Sequence, residues 1–135
     1  HVDVVGRGPG LGTALYGALV LRELLGLRGG WMPAGHFRHG PLLDVAQGHK
    51  LIVIAGGRTA ALGARLAADA AGRGGRAVLV TDRAPDAVPG VLTVSIPVKD
   101  ELLFALLAAL PFELYMAEAA RTVGTAYLRV QTTSE

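Results

Sequence analysis

Four short apolar runs, each too brief for a helix and each closed by a turn, constrain this chain more than anything else in its sequence. They are Val2-Asp3-Val4-Val5, Leu51-Ile52-Val53-Ile54-Ala55, Ala77-Val78-Leu79-Val80 and Val91 to Ile96. The first three run into Gly6-Arg7-Gly8-Pro9-Gly10, Gly56-Gly57 and Thr81-Asp82; the fourth alternates with Thr93 and Ser95 before Pro97. Runs that are apolar at nearly every position read as strands buried on both faces, as in parallel sheets. A weaker fifth strand is expected near Gly30-Trp31-Met32 or in the C-terminal tail.

Helical patterns fill the intervals. Gly12 to Leu25 carries apolar residues at helical spacing, and Arg58 to Arg73 is alanine-rich and stops at Gly74-Gly75. Lys99 to Val123 reads as two helices or one kinked at Pro111, closing at Gly124. Strands alternating with helices predict an α/β fold: a doubly wound three-layer αβα sandwich on a five-stranded parallel sheet, of flavodoxin-like or Rossmann-like winding. Ligands in such folds bind beyond the carboxyl ends of the strands, so the loops after Val5, Ala55 and Val80 come first as site candidates. The 135 residues make one domain, without internal repeat, low-complexity segment or linker. The chain opens on His1 rather than Met, and a fragment of something longer is expected from that.

Composition removes several function classes. There is no cysteine, so disulfides, thiolate metal sites and cysteine nucleophiles are excluded. The 13 basic residues are nearly all Arg and are dispersed, and the net charge is only +2, which argues against nucleic acid as a partner. Arg in excess of Lys does suit an anionic small molecule. The run from Leu102 to Leu114 is interrupted by Pro111 and Glu113, so no membrane span is expected. With no basic-then-apolar leader, the expected location is cytoplasmic.

Among the turns, Gly6 to Gly12 fails both the dinucleotide pattern, because Leu11 stands where its last glycine belongs, and the P-loop pattern, which needs Gly-Lys-Ser/Thr. It remains a strand-to-helix turn whose backbone, Gly8 included, can approach a ligand closely. Gly56-Gly57-Arg58-Thr59 can hold an anion through backbone N–H groups, but Thr59 is equally suited to cap the following helix. His36-Phe37-Arg38-His39-Gly40-Pro41 is the densest chemical segment. Its two histidines lack a third metal ligand nearby, and a loop His moving a proton is the better functional reading, beside a plain surface His. Glu23, in Leu21-Arg22-Glu23-Leu24-Leu25, is either a partly buried carboxylate with the raised pKa of a general base or an exposed one paired with Arg22 or Arg28.

Taken in order, Val4-Val5-Gly6-Arg7-Gly8, Ala14-Leu15-Tyr16-Gly17-Ala18-Leu19-Val20-Leu21-Arg22-Glu23 and Phe37-Arg38-His39-Gly40-Pro41 resemble the sugar isomerase (SIS) domain family. The likeness is to the C-terminal SIS domain of glucosamine-6-phosphate synthases and deglycases, with their Gly-Arg-Gly turn, Glu-Gly-Ala-Leu-Lys-Leu-Lys-Glu helix and Lys/Arg-His-Gly-Pro loop. It continues through Arg73-Gly74-Gly75, Pro97 and Pro111 to Gly124. The resemblance implies that Glu23 is the base moving a proton between C1 and C2 of an open-chain sugar phosphate. His39 helps open the ring, commonly in a neighbouring subunit's site. Arg38, Gly8 and Arg129 become substrate-binding candidates, with no cofactor and no metal. A second SIS domain and a homodimer are the implied partners.

Several positions depart from the family pattern. Tyr16 stands for its first helix Glu, Val20 for a Lys and His36 for a Glu, and after Gly124 the family's Asp-x-Pro-Arg segment and following Lys are not recognisable. Arg129 is the nearest cation there. The only serines are Ser95 and Ser134, so the Ser-x-Ser-Gly turn that grips the phosphate in the family's first SIS domain is absent. The expected function is therefore half of an isomerase, aminotransferase or deglycase acting on fructose 6-phosphate-like substrates through an enediol. The alternative is a noncatalytic phosphosugar-sensing or dimerisation module, the use made of SIS domains in some transcriptional regulators.

Overall fold

The apolar runs do form strands, and they pair only in parallel. In the computed structural model, which describes residues 1–83 and 86–123, the strands are β1 (Val2–Gly6), β2 (Trp31–Pro33), β3 (Lys50–Ile54), β4 (Arg76–Thr81) and β5 (Val91–Ser95). Their order is β2-β1-β3-β4-β5 with every neighbouring pair parallel. The fifth strand is thus the one at Trp31. It is three residues long and ends in Pro33, which suits a sheet edge where one row of N–H groups has no ladder to join.

Among the described residues five α-helices cover the sheet: α1 (Gly10–Leu25), α2 (Ala34–Arg38), α3 (Ala60–Gly72), α4 (Glu101–Leu107) and α5 (Leu110–Val123). Alternation along each strand separates two cores. Val2 and Val4 of β1, with Ile54 and Val80, meet Ala14 and Leu21 of α1 and Phe104, Ala108, Phe112 and Met116 of α4 and α5. Val5, Val53 and Leu79 point the other way, into Ala34 and Phe37 of α2, Leu42, Val45, and Leu66, Ala67 and Ala70 of α3. The three-layer sandwich follows, with α1, α4 and α5 on one face and α2 and α3 on the other.

Asp3 is the exception within β1, a carboxylate only 5% exposed. Its oxygens accept the Gly30 N–H at 3.2 Å and lie 3.0 Å from His1 Nε2 and 3.2 Å from His49 Nε2. A buried acid is tolerated when its lone pairs are met in this way.

The segment expected to kink at Pro111 breaks earlier. α4 ends at Leu107 and α5 begins at Leu110, which puts Pro111 in the first turn, where its missing N–H has no partner to lose. Asp100 caps α4 by accepting the Leu102 and Leu103 N–H groups at 2.9 and 2.8 Å. Within Glu101–Thr122 an 18-residue window reaches a mean hydropathy of 1.6, so by length and composition alone this stretch is apolar enough to cross a membrane. Its Phe104, Ala108, Phe112 and Met116 are instead core residues of the sandwich.

Few aromatic side chains are available, so the layers close on small residues. A Cβ on Gly63 of α3 would fall inside the methyl group of Ala55, just past β3. We expect Gly63→Ala to destabilise the fold by about 1–3 kcal/mol through overpacking, despite the better helix former. Gly12→Ala, where a Cβ meets nothing within 4 Å, should stabilise it by about 0.5–1 kcal/mol. Urea unfolding of the two variants checks both signs.

Candidate functional site

Chain direction reverses between β1 and β3: the chain leaves β1 toward β2 on one side and returns to β3 on the other. Two strand-to-helix loops therefore part at the carboxyl ends of these strands and leave a crevice. A cleft of about 260 Å³ lies there, lined by Arg7 to Gly10, by Gly56, Arg58 and Thr59, and by Glu101 and Phe104 of α4. Two of the loops singled out from the sequence meet in it, and Gly8, at φ +52°, is in its wall.

Several backbone donors around this cleft are already engaged. The Gly10, Leu11 and Gly12 N–H groups close tight turns onto Arg7, Gly8 and Pro9 carbonyls. On the other wall the Gly57 N–H donates to Asp82 Oδ2 and the Arg58 N–H to Glu101 Oε1, each at 2.8 Å. The Arg58 guanidinium stands 3.5 Å from the same Glu101 oxygen, and Arg83 donates to the Gly57 carbonyl at 3.1 Å. Thr59 does not cap α3 with its oxygen; the hydroxyl donates back to the Gly56 carbonyl at 2.9 Å. A hydroxyl used as a donor within the turn leaves capping to the two carboxylates. Glu101 was missed in the sequence, because nothing in the order of residues brings the starts of α3 and α4 together; Arg7 and Asp82 lie in the loops singled out after Val5 and Val80, but no role was read for either side chain. The doublet Gly56-Gly57 was the available signal: a Cβ on Gly56 would enter the Phe104 ring, and one on Gly57 the Glu101 side chain.

Glu23 is elsewhere. α1 buries Gly10, Thr13, Ala14, Gly17 and Leu21, and a residue two beyond Leu21 points away from that stripe. Glu23 is exposed, so the partial burial inferred from its leucine neighbours is not supplied by this chain. Among the described residues it forms no ion pair with Arg22 or Arg28.

His39 follows α2, as its C-terminal cap, with its N–H on the His36 carbonyl at 3.1 Å. Phe37, completely buried, and Leu42 pin the chain on either side and leave His39 exposed between them. Phe37 is the residue that fixes this loop, and its apolar ring among His36, Arg38 and His39 was the readable sign. His36 and His39 are on a helical turn, yet among the described residues no three His, Asp or Glu side chains are grouped to hold a metal. Arg38 pairs with Asp69 of α3 at 2.7 Å and so faces away from the cleft's lining. Arg129 lies outside the described residues.

Glu23 and His39 are thus not brought together. α1 covers one face of the sheet and α2 the other, with β1 and β2 between them.

A family model described as SIS domain matches residues 1–122. Glutamine--fructose-6-phosphate aminotransferase [isomerizing] of Brucella abortus biovar 1 (strain 9-941) is 30% identical over 129 residues, 93% of this chain. The chain spans 21% of that relative's length. Among solved structures, the C-terminal domain of glucosamine-fructose-6-phosphate aminotransferase from Francisella tularensis superposes with a TM-score of 0.80 at 22% identity. That match covers 93% of this chain and 36% of that one. The Vibrio vulnificus NanR protein complexed with ManNAc-6P gives a TM-score of 0.75 at 16% identity, over 93% of this chain and 51% of that one.

The Arg38–Asp69 pair is 39% and 44% exposed, a setting in which solvent screens most of the attraction. A double-mutant cycle with Arg38→Ala and Asp69→Ala should return a coupling of about 0.2–1 kcal/mol. A much larger value would mean that the pair fixes the His39 loop.

Proposed function

The chain belongs to the SIS domain family, and from that premise we propose that it is one half of a cytoplasmic sugar-phosphate isomerase, aminotransferase or deglycase. The substrate class is fructose 6-phosphate or a fructosyl-amine 6-phosphate. The observation that carries this reading is the placement of Glu23 and His39, both exposed and on opposite faces of the sheet. Two groups so placed favour sites shared between copies or domains over one site within a single copy. Each is suited to complete a site built by another domain or subunit.

In this reading Glu23 takes a proton from the carbon next to the carbonyl and returns it to the neighbouring carbon, passing through an enediol with no net oxidation. His39 of a second subunit moves the proton that opens the ring. A carboxylate acting as a base near neutral pH needs an apolar cover, which the facing domain provides when it docks over α1. The phosphate is gripped by that other domain, since this one offers no serine-rich turn.

The unfinished surface supports a partner. Leu102, Leu106, Leu110 and Leu114 recur every four residues along α4 and α5 and are 71%, 70%, 51% and 70% exposed. A row of this kind marks an interaction face. The Francisella domain, of which this chain covers 36%, has length enough for a second domain of the same size.

A second reading has its own support. Tyr16, Val20 and His36 replace charged family residues, and a similar fold is found in NanR complexed with ManNAc-6P. A noncatalytic phosphosugar-responsive module would keep the fold and lose the chemistry.

Glu23→Gln in the assembled two-domain protein should lower kcat for fructose 6-phosphate turnover by about 100-fold or more. Undiminished turnover would sink the catalytic assignment, and calorimetric binding of the sugar phosphate without any turnover would favour the sensing module. Mixed dimers give a second check. If the two groups meet across subunits, combining inactive Glu23→Gln and His39→Ala proteins regenerates one intact site in each heterodimer, and about a quarter of the activity returns. No recovery on mixing would place Glu23 and His39 in separate roles.

A further inference from the structure

In many α/β folds the turn after a central strand holds a bound anion on its backbone N–H groups. Here that turn is occupied from within. Gly57, in the left-handed region at φ +54°, aims its N–H at Asp82, and the next N–H, of Arg58, meets Glu101. Both bonds are charge-assisted and 2.8 Å long, lengths typical of a bound oxyanion.

The two carboxylates are held by different means. Asp82 follows β4 directly and is 10% exposed, while Glu101 opens α4 and is 30% exposed. The start of α4 is seated by the Asp100 cap and by Phe104, whose ring takes the space a side chain at position 56 would need. Glu101 also draws the Arg58 guanidinium to within 3.5 Å, so this cation faces a carboxylate of the chain itself.

We propose that Glu101 is a built-in latch. Its carboxylate occupies the place of a tetrahedral dianion between the β1 and β3 loops and keeps phosphate groups out of this cleft. The inference goes beyond the isomerase reading and stands whether or not Glu23 is a base. It concerns a different place in the fold and a ligand the wild-type cleft refuses. Arg7, on the facing wall, and Arg58 supply the positive charge that an anion would meet once the latch is removed.

The test is titration of inorganic phosphate into the 135-residue chain, followed by amide NMR at Gly57 and Arg58. A parallel arm uses fructose 6-phosphate, which separates free phosphate from a phosphosugar. In wild type these two amides should not move in a saturable way. In Glu101→Ala they should shift saturably, with an apparent affinity about tenfold or more above any wild-type response. Glu101→Ser likewise vacates the place and removes the charge, so it decides the matter if the alanine variant does not fold. Equal saturable shifts in wild type and variant would overturn the latch. So would the absence of any shift in the folded variants.

Discussion

Gly63 of α3 lies against Ala55 so closely that no side chain fits between them, and Gly17 of α1 is in the same relation to the Phe112 ring of α5. These contacts set the distance between helices and sheet, on which the rest of the structure depends. A domain with 5% aromatic residues cannot fill a wide gap with rings, so its layers must approach until alanine and valine suffice. Close approach fixes the helices along their lengths, and with them the turns that precede them. The cleft between the β1 and β3 loops has the width it has because Gly56 admits Phe104 and Gly57 admits Glu101.

The same economy leaves work undone at the surface. Helices that spend their small residues on the sheet carry their leucines outward, as α4 and α5 do, and Leu15 and Leu19 of α1 are half-exposed as well. An apolar outer face and two exposed proton-transfer candidates occur on one small domain. The first gives a partner something to bury; the second gives the buried space a chemistry. On the proposed reading, Glu23 gains the low-dielectric setting of a base only from whatever covers α1, which ties that function to docking.

The strands were legible because parallel strands buried on both faces cannot hide their composition: Leu51 to Ile54 and Ala77 to Val80 are apolar throughout. Trp31 to Pro33 was harder, being three residues long at an edge, and its register on Val4 to Gly6 comes from β1 and not from its own pattern. The α4–α5 break was expected at Pro111 and falls before it, since proline is accommodated in a first turn. For the site, the order of motifs placed Glu23 on a helix and His39 after a turn. It left open whether Leu21-Arg22-Glu23 would bury its acid or turn it to solvent, because leucines on both sides of a helix look alike until one knows which meets the sheet. Nor did it pair Arg38 with Asp69, a contact across 31 positions.

The cleft and the catalytic candidates answer to different demands. A switch-point crevice is a consequence of doubly wound topology and appears whether or not it is used. In this chain the Gly57 and Arg58 N–H groups are taken by Asp82 and Glu101, whose bonds join the starts of α3 and α4 to the end of β4. Those bonds stabilise the junction of three elements at a point where a ligand would otherwise be needed to satisfy the same N–H groups. On the proposed reading this domain presents its chemistry on its outer faces. That is where Glu23 and His39 stand.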